Sequence, residues 1–208
     1  MPPRFVPLPP AGVALPRDVD PAFAIGTCCR IVPDKNIEFL FDMMRHLTRN
    51  LPSASLTIVG GPDPRHTAYS DSLMARIGEE RISNIRFVGS HSDINSFLSQ
   101  FQVFVMASDR EGCPNASLEA MAMKLPVVAT PSGGTAEQID EGVSGFFVAD
   151  PAGMALRVEA LLRNPAMRRR FGARGREIAR ERFSMDDMVA RYLELMDGTP
   201  VARTSSIV

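Results

Sequence analysis

QVFVMASDREGCPNASLEAMAMKLPVVAT, residues 102–130, decides the fold. QVFVMAS reads as a strand, NASLEAMAMK as a helix and PVVAT as a second strand, and a helix between two strands is the unit of a parallel sheet. Pro114 lies near the first helical turn, where its missing N–H removes no intrahelical bond. Two carboxylates, Glu111 and Glu119, bracket seven residues around that helix start.

The same alternation extends in both directions. Upstream, AFAIGT (22–27), ASLTIVG (54–60) and NIRFVG (84–89) read as strands. NIEFLFDMMRHLTR (36–49), a segment within TAYSDSLMARIGEE (67–80) and DINSFLSQ (93–100) read as helices. Downstream come a short helix in TAEQID (135–140) and a strand in SGFFV (144–148). After Val148 the strands stop, and residues 151–164, 165–183 and 184–196 read as helices. The expected class is α/β, a parallel sheet flanked by helices on both faces, with its ligand site beyond the carboxyl ends of the strands. No internal repeat or low-complexity segment interrupts it.

A chain of 208 residues supports one well-cored domain. The expected division is a proline-rich linker or approach segment at 1–20, the domain at 21–198 and a tail at 199–208. A net charge of -1 supplies no global field for nucleic acid or an anionic membrane, so no nucleic-acid partner is expected. Three cysteines do not make a disulfide framework, and the adjacent Cys28 and Cys29 would point to opposite faces of a strand. No signal peptide or membrane-spanning run is read. The expected location is cytoplasmic, with peripheral membrane contact left open. The basic run RRRFGARGREIARERF (168–183) could meet anionic lipid, but its interleaved acidic residues read as a solvated helical face. The twelve methionines are expected mostly in core gaps.

Three segments carry candidate chemistry. In GTCCRIVPDKN (26–36), Arg30 and Lys35 flank a turn at the end of the first strand. Two such cations can neutralise a diphosphate, or both can be solvated surface charges. In VGGPDP (59–64), Gly60 and Gly61 permit close backbone approaches, but the spacing is neither a Walker loop nor a dinucleotide fingerprint. That segment reads as a plain turn or as a loop lining a cleft. In the opening stretch, free amides around Asn115 to Ser117 suit an anion, and Gly112 lets backbone approach it. Carboxylates accept hydrogen bonds from vicinal hydroxyls. Glu111 on the loop and Glu119 on the second helical turn can therefore face one ligand, a hydroxylated ring at each end of a diphosphate, which describes a nucleotide sugar. Alternatively, Glu111 complements the helix dipole and Glu119 is solvated. Glu137 reads as capping or bracing its short helix.

EGCPNASLEAMAMKLPVVATPSGGTAEQIDEGVSGFFV (111–148) resembles the donor-binding half of the retaining glycosyltransferases of family 4, whose hallmark is two glutamates separated by seven residues. IGTCCRIVPDKNIEFLFDMM (25–44) is similar to the family's diphosphate-binding turn and FSMDDMVARYLELM (183–196) to its closing helix; the likeness covers roughly residues 5 to 197. The resemblance implies a GT-B architecture of two Rossmann-like domains, this chain being the C-terminal, donor-binding one. It implies that Arg30 and Lys35 hold the diphosphate and stabilise it as a leaving group, that Glu111 contacts the transferred sugar, and that Glu119 holds the ribose diol. Main-chain groups of Gly112, Cys113, Pro114, Asn115, Ala116 and Ser117 would complete the phosphate site beside Gly60 and Gly61, and His91 is either a neighbour of the base or a plain surface histidine. No metal or other cofactor is implied, because the basic pair and helix amides do that work.

Lys124 stands where the family has a glycine, and TCCR (27–30) replaces its small-residue approach to the arginine. The acceptor-binding half is absent, so the implied function is the donor domain of a hexosyltransferase that needs an acceptor-binding domain or subunit. Two alternatives keep the same pocket: a non-catalytic nucleotide-sugar sensor, and a nucleotide-sugar epimerase of the same architecture.

Overall fold

The computed structural model describes residues 20–197; the proline-rich segment up to residue 19 and the tail at 199–208 lie outside them. β1 (Ala24–Cys28), β2 (Ser55–Val59), β3 (Ile85–Gly89), β4 (Val103–Met106), β5 (Val127–Ala129) and β6 (Gly145–Phe147) form one sheet. Every neighbouring pair is parallel and the order is β3-β2-β1-β4-β5-β6. The chain winds outward from β1 to β3, then crosses back to lay β4 against the other side of β1. This is the Rossmann-like order, and its switch point lies between β1 and β4.

Among the described residues eight α-helices connect or cover the strands: α1 (Ile37–Leu47), α2 (Thr67–Glu79), α3 (Asn95–Leu98), α4 (Asn115–Ala122), α5 (Thr135–Gln138), α6 (Pro151–Arg163), α7 (Pro165–Arg182) and α8 (Met185–Met196). A strand's side chains alternate between faces, and here they split into two cores. Val103 and Val105 of β4 join α1 and α6 residues such as Leu40, Phe41, Val158 and Leu161. Phe104 and Met106 of the same strand join Ala120 and Met121 of α4 and Ile178 of α7. Because both faces are covered, β1, β2 and β4 are buried along their whole length, as parallel strands require. Met43, Met44, Met121 and Met154 fill core positions, whereas Met123, Met188 and Met196 are exposed.

Most elements are shorter than the sequence pattern predicts, and two of the shortenings have a visible local cause. The first strand begins at Ala24 rather than Ala22, because Pro21–Phe23 makes a 3-10 turn capped by Asp20, which accepts from the Ala22 amide at 2.9 Å. Expected over 93–100, α3 keeps only Asn95–Leu98. Gln100 and Phe101 donate three residues back, to the Phe97 and Leu98 carbonyls, which tightens the end into 3-10 geometry.

Gly26 of β1 packs under the buried ring of Phe101, and an added Cβ would stand 2.0 Å from two ring carbons. Gly26→Ala should destabilise the protein by about 1–3 kcal/mol, the scale of an overpacked core, seen as a lower urea midpoint with unchanged slope.

Candidate functional site

A cleft of ≈ 530 Å³ opens where β1, β2 and β4 end, at the switch point. Arg30, Lys35, Gly60, Gly61, Glu111, Cys113, Pro114, Asn115, Ala116 and Glu119 line it together. Gly112 and Ser117, the other two residues singled out from sequence, are not among its walls. Gly112 is exposed with open space where a Cβ would go, so its own surroundings do not demand glycine. Ser117 is wholly buried, its hydroxyl turned inward to the Pro114 carbonyl at 2.9 Å and to Gln138. Its side chain cannot face a ligand there; only its main-chain amide, in the first turn of α4, remains available to one.

The two basic residues sit in different electrostatic settings. Lys35 ends the 3-10 turn Pro33–Lys35 after β1, and its Nζ donates to Glu111 Oε1, with 19% and 11% of the two side chains exposed. This ion pair joins the loop after β1 to the loop after β4 across the seam. Two further bonds run beside it: the Asp109 amide donates to the Asp34 carbonyl at 3.0 Å, and Asn36 Nδ2 donates to Asp109 Oδ1 at 3.3 Å. Arg30, two-thirds exposed, donates from Nη1 to Asp63 Oδ2 at 3.0 Å. Glu119 stands exposed on the second turn of α4, facing the same cleft as Glu111.

α4 starts at Pro114 as its N-cap with no side chain capping it, so the amides of Asn115, Ala116 and Ser117 form an electropositive helix start beside Lys35. Glycines set the approach of the surrounding chains. Gly60 has φ +142°, and a Cβ there would stand 1.8 Å from the Cys29 carbonyl oxygen. Gly61 accepts from the Ile31 amide at 3.0 Å, and a Cβ on it would meet Ser90 Oγ at 2.5 Å. Gly60 thus lets the ends of β1 and β2 meet, and Gly61 lets the chain after β2 pass close to Ser90, after β3.

The sequence pattern left Gly133, Gly134 and Gln138 without a role at this site. A Cβ on Gly133 would lie 1.7 Å from the Glu111 carbonyl oxygen, and one on Gly134 would lie 1.9 Å from that of Gly112. The pair therefore lies flat against the main chain that presents Glu111. Buried Gln138 donates from Nε2 to the Pro114 carbonyl at 3.2 Å and tethers the start of α4. The only available signal was their place in TPSGGTAEQ, between β5 and β6; neighbouring Glu137 is exposed.

All three cysteines are free thiols. Cys28 packs in the α4 and α7 core and Cys29 against the opposite one, as adjacent strand residues should. Burial pushes the Cys28 thiol up to about 12, helped by neighbouring Cys29 and Glu119. Burial likewise raises Cys29 to about 11, although Lys35 pulls against the shift. Cys113 is exposed at the cleft mouth. His91 lines the cleft with its ring 4.7 Å from that of Phe97 and Nε2 2.9 Å from the Val88 carbonyl. Among the described residues no group of three or more His, Cys, Asp and Glu is arranged to hold a metal ion, and no helix is long and apolar enough to cross a membrane.

The sequence profile of the family Glycosyl transferases group 1 matches residues 22–164, which contain the whole cleft. The chain belongs to this family. It is 30% identical over 181 residues to the Vi polysaccharide biosynthesis protein VipC/TviE of Salmonella typhi, covering 85% of this chain and 31% of that protein. The chain spans between about a third and about half of the curated relatives it matches. Among solved structures it superposes on HepE of Anabaena in complex with UDP with a TM-score of 0.78 at 22% identity, covering 85% of this chain and 49% of HepE. A C-terminal domain of the group 1 family protein LpcC from Francisella tularensis matches with a TM-score of 0.71 at 22% identity, over 78% of this chain and 87% of that domain. The fold is thus a Rossmann-like α/β fold that matches GT-B glycosyltransferase structures.

Two outcomes follow from the packing and the thiols. Gly134→Ala should displace the Glu111 loop, since its Cβ meets backbone rather than a flexible side chain, and lower thermal stability, whereas Gly112→Ala should leave the melting temperature unchanged. At pH 8, well below the raised values of Cys28 and Cys29, iodoacetamide should alkylate Cys113 first, as peptide mass spectrometry would show.

Proposed function

We propose that this chain is the donor-binding half of a retaining hexosyltransferase of family 4, taking a nucleotide-diphosphate sugar and working with an acceptor-binding domain or subunit. The observation that carries this reading is the convergence of Lys35, Glu111 and the uncapped start of α4 at the sheet's switch point, from segments 76 residues apart. That combination offers positive charge for a diphosphate and carboxylates for the hydroxyls on either side of it.

In this reading Arg30 and Lys35 neutralise the diphosphate, helped by the amides of Asn115 to Ser117. Glu111 accepts from hydroxyls of the transferred sugar, and Glu119, farther along α4, accepts from the ribose diol. When the bond from the anomeric carbon to the diphosphate oxygen breaks, its electron pair stays on the nucleoside diphosphate. The fixed cations and helix amides stabilise that growing charge without a metal ion, because they need no reorganisation as it develops. Lys35 must then share or exchange its Glu111 contact, which ties diphosphate binding to release of the carboxylate that meets the sugar.

A partner half is supported by α8, where Met188, Val189, Tyr192, Leu193, Leu195 and Met196 are exposed apolar residues. A second cavity of ≈ 590 Å³ lies between this helix and α4 and shares Cys113, Asn115 and Glu119 with the cleft. The proposed setting is the cytoplasm, with peripheral membrane contact left open. On α7, Arg174 pairs with Glu177 and Glu181, and Arg182 pairs with Asp140, which leaves its basic run partly neutralised.

Calorimetric titration with UDP, GDP and ADP tests the reading and names the base. One should bind in the micromolar to millimolar range. Glu119→Ala should weaken binding of both the nucleoside and its diphosphate, whereas Arg30→Ala should weaken the diphosphate about tenfold and the nucleoside hardly at all, as expected for loss of one charge-assisted contact. Failure of all three nucleotides to bind would overturn the proposal.

A further inference from the structure

Asp63 is a nearly buried carboxylate, 7% exposed, in the loop that follows β2. It lies between Pro62 and Pro64, whose rings fix the backbone on either side, and Pro62 is bridged to Ile31 immediately after Arg30. Its Oδ1 accepts from the Arg65 amide at 2.9 Å and Arg65 Nε at 3.1 Å. Its Oδ2 accepts from Arg65 Nη2 and from Arg30 Nη1, both at 3.0 Å. His66 Nδ1 stands 3.8 Å from Oδ1.

We infer that Asp63 is a positioning residue that holds the Arg30 guanidinium at the cleft rim for the diphosphate, an inference that rests on the donor-binding reading above. Arg30 is a long side chain, two-thirds exposed, on the turn after β1. Left alone, it must give up its rotamer freedom when it binds a ligand. A carboxylate on a rigid turn removes part of that freedom beforehand. The contact uses one of five N–H donors, so the guanidinium keeps others for phosphate oxygens. Arg65 completes the arrangement: two guanidinium groups share one carboxylate, which leaves the cluster positive rather than neutral. The hydrogen bonds from Arg65 also hold the Asp63 carboxyl well below the usual carboxylate range, so it is charged at neutral pH.

A purely structural role for Asp63 is to cap the 3-10 turn Pro64–His66 through Oδ1. Asp63→Asn separates the two roles. The amide oxygen can still accept from the Arg65 backbone, but the amide nitrogen brings N–H donors against the guanidinium groups. The variant and the unaltered chain would be titrated with UDP and with uridine, or with the pair whose base binds tightest, each also in an Arg30→Ala background. The expected result is a loss of about three- to tenfold for the diphosphate, none for the nucleoside, and no further loss when Arg30 is already alanine. Nitrogen-15 relaxation of the Arg30 Nε–H group should show it more mobile in Asp63→Asn without any ligand.

An unchanged or tighter diphosphate affinity, an equal loss for nucleoside and diphosphate, or a full loss that persists in the Arg30→Ala background would overturn the inference. These results are distinct from failure of the donor reading, in which the unaltered chain binds no nucleoside diphosphate or Arg30→Ala binds it as well as the unaltered chain does.

Discussion

The Lys35–Glu111 ion pair crosses the seam at which the strand order reverses, and the geometry of the cleft depends on it. β1 and β4 are neighbours in the sheet but carry loops from distant parts of the chain. Without a link those loops would move independently above the strand ends. Both charges are mostly buried, so stranding either one costs on the order of 3 kcal/mol, and each therefore holds the other in place. The flanking bonds from Asp109 to Asp34 and from Asn36 to Asp109 keep the same two loops in register. The pair thus makes one wall out of two loops.

That wall has a deliberate charge arrangement. Each cation at the cleft has a carboxylate partner, Lys35 with Glu111 and Arg30 with Asp63, while the first-turn amides of α4 have no side-chain cap. A pair of unpartnered cations beside a helix start would repel each other and loosen the loops. Pairing lets the site remain folded and still present positive charge, because an arginine or a lysine can exchange one oxygen partner for another. The helix amides cannot move away and so supply the permanent part of the field.

Around the site, main chain meets main chain at glycine. Gly60 admits the Cys29 carbonyl, Gly133 and Gly134 admit those of Glu111 and Gly112, and Gly172 of α7 admits that of Lys124. Lys124 itself has φ +62°, a left-handed position at the end of α4, where the resembling family has glycine. The substitution is accommodated because the exposed lysine side chain points away from crowding, at the modest backbone strain of a non-glycine residue in that region.

The sequence by itself determined the alternation of strands and helices, the ligand-bearing edge of the sheet and most of the residues along the cleft, because each rests on local patterns. QVFVMAS followed by a proline-started helix marks its own turn, and Arg30 and Lys35 betray themselves by standing at a strand end. Shorter elements such as α3 were overestimated because their last turn is settled by 3-10 bonds that no periodicity records. Only the tertiary structure decided which charges meet. Lys35 and Glu111, or Arg30 and Asp63, are partners because the sheet order brings β1 between β2 and β4, and spacing along the chain carries no trace of that distance. The same holds for the inward turn of the Ser117 hydroxyl to Gln138, and for Gly133 and Gly134, whose partners are carbonyl oxygens that any residue could have supplied.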